Sequence, residues 1–274
     1  TYMDKAGMDP AGLASFLGKL ESEELMPVNQ QSEYVRTHPL TANRIGAVET
    51  RGRESASSGK AFPASWVEQH ARMKAKLAGF IAPQKVSWIY DDSDKGIPAR
   101  YARAIAAYRQ NDVQRALKEA DSLIASEPDN PYFQELKGQM LVDFGRVSEA
   151  LPYYRKSVSL MPDAPLLQIA LSHALIESGG GDASLEQAVR QLEQALILEP
   201  RSSRAYRLLG IAYGKLGQEG RAKLNLAEEA VLQSRWDYAK DLAEGAVRSF
   251  PQGSREWLQA KDIISYIENR KDEE

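Results

Sequence analysis

The chain has 274 residues, 43% hydrophobic and 27% charged, with a net charge of −3 and no cysteine. The missing cysteine excludes disulfides and thiolate metal sites, and the slight acidic balance excludes a non-specific nucleic-acid binder, which needs a basic surplus to displace counterions. No run of about 18 or more apolar residues offers a membrane-spanning helix.

Ala, Leu, Glu and Arg are abundant and apolar residues recur at helical spacing, so the chain reads as all-α. Asp9 and Pro10 form a start signal, a capping carboxylate followed by proline at the first helical position. The helix they open, "AGLASFLGKLESEE", carries Leu13, Phe16, Leu17 and Leu20 along one face, predicted to be buried. A loop with "SEYVRTHPLTANRIGAVE", residues 32–49, follows, and Thr41 caps a second helix through Ile45 and Val48. "RGRESASSGKAFPAS" is small, polar and loop-like. A third helix starts near Ser65, with Trp66, Val67, Met73 and Leu77 as its apolar side. "IAPQKVSWIYDDSDKGIP" has connector composition. Residues 1–81 are therefore expected to form one unit and residues 82–97 a linker.

From residue 98 to 254 the sequence repeats. Pro128 and Pro162 follow helical segments in similar contexts 34 residues apart, and a period of about 34 marks the tetratricopeptide repeat, a helix-turn-helix unit. The next interval, to Pro200, is 38, with four extra residues in "SGGGDAS"; Pro251 follows after 51, or one and a half repeats. Gly138 and Gly210 in first helices, and Ala116, Ala150, Ala188, Ala222 and Ala239 in second helices, mark where two helices touch. Tyr154, Leu192, Leu209 and Tyr213 fill the spaces between, and Gly145 and Gly217 take the turns. The phasing predicts a helical solenoid rather than a generic bundle. Residues 255–274 make a capping helix, with Trp257, Ile263, Ile264 and Ile267 over the end of the stack, then a charged tail.

Counted from the small positions, the side chains expected on the concave face are Tyr101, Ile105 and Tyr108; Tyr132, Gln139 and Asp143; Ile169, His173 and Glu177; and Arg204, Arg207 and Lys215. Tyr and Arg are favoured at interfaces. A protein or peptide partner is expected there, with an acidic or carboxylate-ended one suited to the last, basic group; the competing reading is a solvated helix face.

Catalytic chemistry is thin. No two of the three histidines, His38, His70 and His173, are four apart, so there is no HExxH helix. "SGGGDAS" joins two helices and follows no strand, so it is a turn and not a phosphate loop. Glu23–Glu24 and Asp91–Asp92 read as solvated charges, His70 as exposed, and His173 as packing more readily than ligand contact. On its own residues, His38-Pro39 only ends one element and starts the next.

"YMDKAGMDPAGLASFLGKL" followed by "YVRTHPLTANRI" resembles the zinc metallopeptidase family of HtpX, the CAAX prenyl endopeptidases and bacterial envelope peptidases with a tetratricopeptide tail. The resemblance covers residues 1 to about 80 by motif. It implies that the zinc-binding HExxH and a third-ligand glutamate lie before Thr1. This chain would then be the carboxy-terminal portion of an envelope or periplasmic endopeptidase, soluble and inactive by itself, with zinc in the intact parent and no cofactor of its own. It implies further that His38 sits at the rim of the active-site cleft, where it would ligate or occlude the zinc or contact substrate, and that Arg44 aims a guanidinium at the site. The alternative is a non-enzymatic scaffold built from the repeats.

Overall fold

A computed structural model describes residues 2–24 and 42–271, all helix and connecting turns with no strand among the described residues. Two compact units divide at Lys74 and Ala75.

The first unit holds α1 (Tyr2–Lys5), α2 (Ala11–Glu24), α3 (Ala42–Glu54) and the start of α4 (Ala64–Ile81). Asp9 caps as expected: one carboxylate oxygen accepts from Ala11 N–H at 2.9 Å and the other from Gly59 N–H at 3.1 Å, tying the start of α2 to the loop after α3. The apolar faces are not buried. Leu13 is 39% and Phe16 50% exposed, Leu17 and Leu20 are half-buried, and Trp66, Val67, Met73 and Leu77 are all exposed. Among the described residues of this unit only Pro10, Ile45 and Ser57 are buried, and no described residue covers those stripes fully. The periodicity located both stripes; the burial it predicts for the α2 stripe is only partial at Leu17 and Leu20 and absent at Leu13 and Phe16.

The second unit begins inside α4 because Ala75 and Gly79 lie on the side of that helix packed against the next. A Cβ on Gly79 would sit 2.7 Å from Ile105 Cβ and 3.0 Å from the Ala102 carbonyl, a closeness only glycine allows. After a 3-10 turn (Pro83–Lys85) and α5 (Val86–Ile89), helices pair in antiparallel order: α6 (Ile97–Arg109) with α7 (Val113–Ser126), α8 (Pro131–Asp143) with α9 (Val147–Leu160), α10 (Pro165–Glu177) with α11 (Gly181–Leu198), and α12 (Ser203–Lys215) with α13 (Glu219–Leu232). The first helices begin 34, 34 and 38 residues apart, the spacing of the prolines. Their starts are chemically marked: Pro131 and Pro165 open helices, the Asn130 side chain accepts from Tyr132 and Phe133 N–H, and the Ser202 hydroxyl accepts from Ala205 N–H.

Within pairs the turn is tight. Asn111, Gly145 and Gly217 hold φ of 60°, 75° and 73°, and the next residue's N–H reaches back five residues, from Asp112 to Ala107 O at 2.9 Å, Arg146 to Leu141 O at 2.7 Å and Gln218 to Tyr213 O at 2.9 Å. Such left-handed closures satisfy carbonyls that a helix end leaves open. Small residues then let the partners touch: a Cβ on Gly138 would meet the Tyr154 ring at 3.0 Å, and one on Gly210 would meet Leu226 Cγ at 2.6 Å. Ala116, Ala150 and Ala188 are fully buried in the second helices. This is a tetratricopeptide-type helical solenoid.

The same turn recurs between α13 and α14 (Trp236–Val247). Ser234 has φ 58° and Arg235 N–H bonds Ala230 O at 2.9 Å, half a repeat beyond Gly217. Helix α13 thus closes one pair and opens another, which is the origin of the one-and-a-half spacing before Pro251. Buried Glu229 bridges the turn, accepting from Arg235 at 2.7 Å and Gln233 at 2.9 Å. Finally α15 (Arg255–Lys271) buries Ala260, Ile263, Ile264 and Ile267 against Leu224, Ala227 and Ala230 of α13 and the alanines of α14, the capping helix the sequence predicts.

Candidate functional site

The first helices α6, α8, α10 and α12 bring together a set of polar side chains that no helix could assemble alone. Tyr108, near the end of α6, donates its hydroxyl to the Asp143 carboxylate at the end of α8. Phe80 and Phe144 meet its ring edge-on at 6.3 and 5.8 Å, and this burial, with the Asp143 charge, pushes the phenol well above its usual range. Beside it lies Tyr154 of α9, whose ring fits only because residue 138 is glycine. Burial raises its phenol pKa, and the negative charges of Glu135 and Asp143 add to the effect.

Glu135, about two turns before Asp143 on the same helix, is the half-buried acid of the group. Burial raises its carboxyl pKa, and only Lys76 and Arg204 oppose this; it has no ion-pair partner within reach among the described residues. His173 of α10 is half-buried and faces charge of both signs: burial lowers its imidazole pKa, Arg204 and Arg207 lower it further, and Glu177 and Asp143 work the other way. At neutral pH it is therefore the uncharged ring, able to donate and accept one hydrogen bond each. Arg204 and Arg207 are exposed on the first two turns of α12 and have no ion pair or hydrogen bond among the described residues. Acids thus gather toward α8 and free guanidiniums at α12, with a neutral histidine between. An elongated ligand can be oriented by such a charge gradient.

The residues expected on this face divide three ways. Tyr108, Gln139, Asp143, His173, Arg204 and Arg207 interact with one another through charge or hydrogen bonds. Tyr101, Ile105 and Ile169 do not belong to it. They are 6%, 0% and 2% exposed, and Tyr101 packs on Phe133 at 5.5 Å between ring centres. On a helix squeezed by neighbours on three sides, the stripe next to the small position is core. Tyr132 is exposed at the other end of α8, its hydroxyl 3.7 Å from Met161 Sδ, and Glu177 is exposed one turn after His173. Lys215 donates to Ile176 O at 3.1 Å, satisfying an end carbonyl of α10, so its charge already serves the fold. Glu135 escaped the sequence reading although it lies one turn before Gln139, and Tyr154 was assigned to packing alone. An acidic residue one turn before a groove position, on the same helix, is the signal that would have found Glu135.

His38 lies outside the described residues, as does the side chain of Arg44. Among the described residues no three His, Cys, Asp or Glu side chains gather to hold a metal, and no helix is long and apolar enough to cross a membrane.

Comparison with known proteins agrees with the repeats and reaches beyond them. A tetratricopeptide repeat model matches residues 101–165. The chain is similar to the beta-barrel assembly-enhancing protease of Escherichia coli (strain K12), 25% identical over 260 residues that cover 92% of this chain and 51% of that protein. The protease of the same name from Yersinia pestis is 22% identical over 262 residues, covering 93% and 52%. This chain spans about half the length of the curated relatives it matches. Among solved structures, MamA AMB-1 in its P212121 crystal form superposes with a TM-score of 0.51 at 19% identity, over 62% of this chain and 99% of that one, a likeness of fold.

Proposed function

We propose that this chain is part of an envelope zinc endopeptidase related to the beta-barrel assembly-enhancing proteases, in which the repeats hold a protein substrate or partner by an extended, acid-bearing segment. The first unit is read as the carboxy-terminal part of the peptidase domain. Its support is the similarity along 92% of the chain, which reaches past the repeats into residues 1–74, and the open apolar faces of α2 and α4, which suit helices that belong to a larger domain. In that enzyme His38 and Arg44 would stand at the rim of the zinc site, as the resemblance implies, while the described residues supply no metal site themselves.

The observation that carries the binding reading is the pair of free guanidiniums, Arg204 and Arg207, one helix away from a neutral His173, with the half-buried Glu135 and the exposed Asp143 on α8. Guanidinium is planar, permanently charged and able to grip a carboxylate with two parallel hydrogen bonds. A peptide ending in two glutamates and a free carboxylate would place its charge there and run its backbone toward Gln139 and Tyr108.

Fluorescence anisotropy with such a labelled peptide tests this. The chain should bind it, and the double charge reversal R204E/R207E should weaken binding about tenfold or more while circular dichroism stays unchanged. Equal affinity of the two proteins would remove the groove from consideration.

A further inference from the structure

A polar pocket lies on the hairpin of α6 and α7, lined by residues outside the set described above. It encloses about 360 Å³ between the turn at Asp92–Lys95, Arg100 and Arg103 of α6, and Arg115, Lys118, Glu119 and Ser122 of α7. Five of the lining side chains are cationic and two are carboxylates, an excess of three positive charges (5 − 2) in a chain whose net charge is −3.

The acids nearby are committed. Asp91 accepts from Ser93 N–H at 2.7 Å and Asp94 from Gly96 N–H at 2.8 Å, so both carboxylates close the turn. Asp92 stands 3.6 Å from Arg115, with both side chains more than half exposed, and Glu119 stands 3.8 Å from Arg103. Neither is a close hydrogen-bonded pair.

The cations are only partly used. Arg103, 5% exposed, donates to the Asp91 and Asp94 carbonyls at 2.9 and 2.6 Å, which fixes the turn over the pocket. Lys95 donates to Asp92 O at 3.0 Å. Arg100 donates through one terminal nitrogen to Ser122, at 2.8 Å to its hydroxyl, while its Nε is buried with no acceptor. Lys118 is exposed with no partner among the described residues. A buried charged donor without an acceptor costs stability unless something answers it.

We infer that this pocket binds a phosphate group. A phosphate brings up to two negative charges and three acceptor oxygens on one small tetrahedron. That matches three excess cations around a small volume better than one planar carboxylate, and guanidinium beside ammonium is a common way of gripping it. Arg103 and the turn hold the wall. Arg100 adds a fixed positive charge to it. Arg115 and Lys118, three residues apart on one face of α7, supply exposed charge. The phosphate chemistry is shared by a free phosphate compound and by an anionic lipid headgroup.

The 274-residue chain would be titrated calorimetrically with sodium pyrophosphate, and sedimented with vesicles of phosphatidylglycerol against vesicles of phosphatidylcholine. Binding in either arm, weakened about tenfold or more in R115Q/K118Q, supports the site. Pyrophosphate binding without sedimentation identifies a free phosphate compound, and selective sedimentation with phosphatidylglycerol identifies a lipid. Both substituted side chains are exposed, so circular dichroism should not change. The inference fails if the unaltered chain binds in neither arm, or if R115Q/K118Q binds as well as it does. It also fails if a tetraglutamate peptide displaces pyrophosphate at equal concentration, since that is recognition of an acidic protein.

Discussion

The two units are made of helices of similar composition, yet they keep their apolar residues in opposite surroundings. In the repeats Ile105, Leu123, Leu175 and Leu192 are at most barely accessible and alanines close the gaps between helices. In the first unit α2 and α4 turn Phe16, Trp66, Val67 and Met73 outward. A helical stripe states which side of a helix wants cover; it does not state what provides it. In a solenoid the cover is the next repeat of the same sequence, so the stripe and its partner are both legible. In the first unit the cover is not part of the described residues.

The sharpest way to break this contrast is a pair of truncations. Leu192→Ala, at a site with no solvent exposure, should cost about 2–5 kcal/mol in urea unfolding, whereas Phe16→Ser, at a half-exposed site, should stay within about 0.5 kcal/mol. Similar costs at both positions would mean that α2 is covered after all. A smaller effect tests the close helix contacts. Gly210→Ala places a methyl 2.6 Å from Leu226 Cγ and should cost about 1–3 kcal/mol, although alanine is the better helix former. A gain in stability would show that Leu226 yields freely. The smallest effect concerns His173. Its folded pKa is lowered, so the unfolded chain takes up the proton first, and stability should fall as pH drops from about 6.5 through the folded value. His173→Gln should flatten the thermal melting profile over that window, and an unaltered slope would place the ring in a more solvated setting.

The architecture of the repeats was readable because each device has a chemical signature: proline after a helix, glycine in the turn, glycine or alanine at the contact. Even the irregular step at the end was visible as a spacing of 51. The candidate face was readable only in part. Counting from the small position found Tyr108, Asp143, His173 and the two arginines, but it also selected Tyr101, Ile105 and Ile169. Ile105 and Ile169 lie about one helical turn from the face positions Tyr108 and His173, and Tyr101 about two turns from Tyr108, but neighbouring helices bury all three. Glu135 stayed hidden because its setting comes from Tyr154, Lys76 and Arg204, which are distant in sequence. The phosphate pocket stayed hidden for the same reason: its cations come from a turn and two helices, and "DDSDK" alone looks like a solvated acidic loop.

Helix α13 touches two different sets of neighbours, with Ala222 and Leu226 toward α12 and Leu224, Ala227 and Ala230 toward α14 and α15. Most arrays of this kind can be shortened by cutting after any hairpin. Here a cut at Leu232 would strip one side of a helix and leave three core side chains facing water. The last four helices are a joined end-piece, and α13 is the helix that joins them.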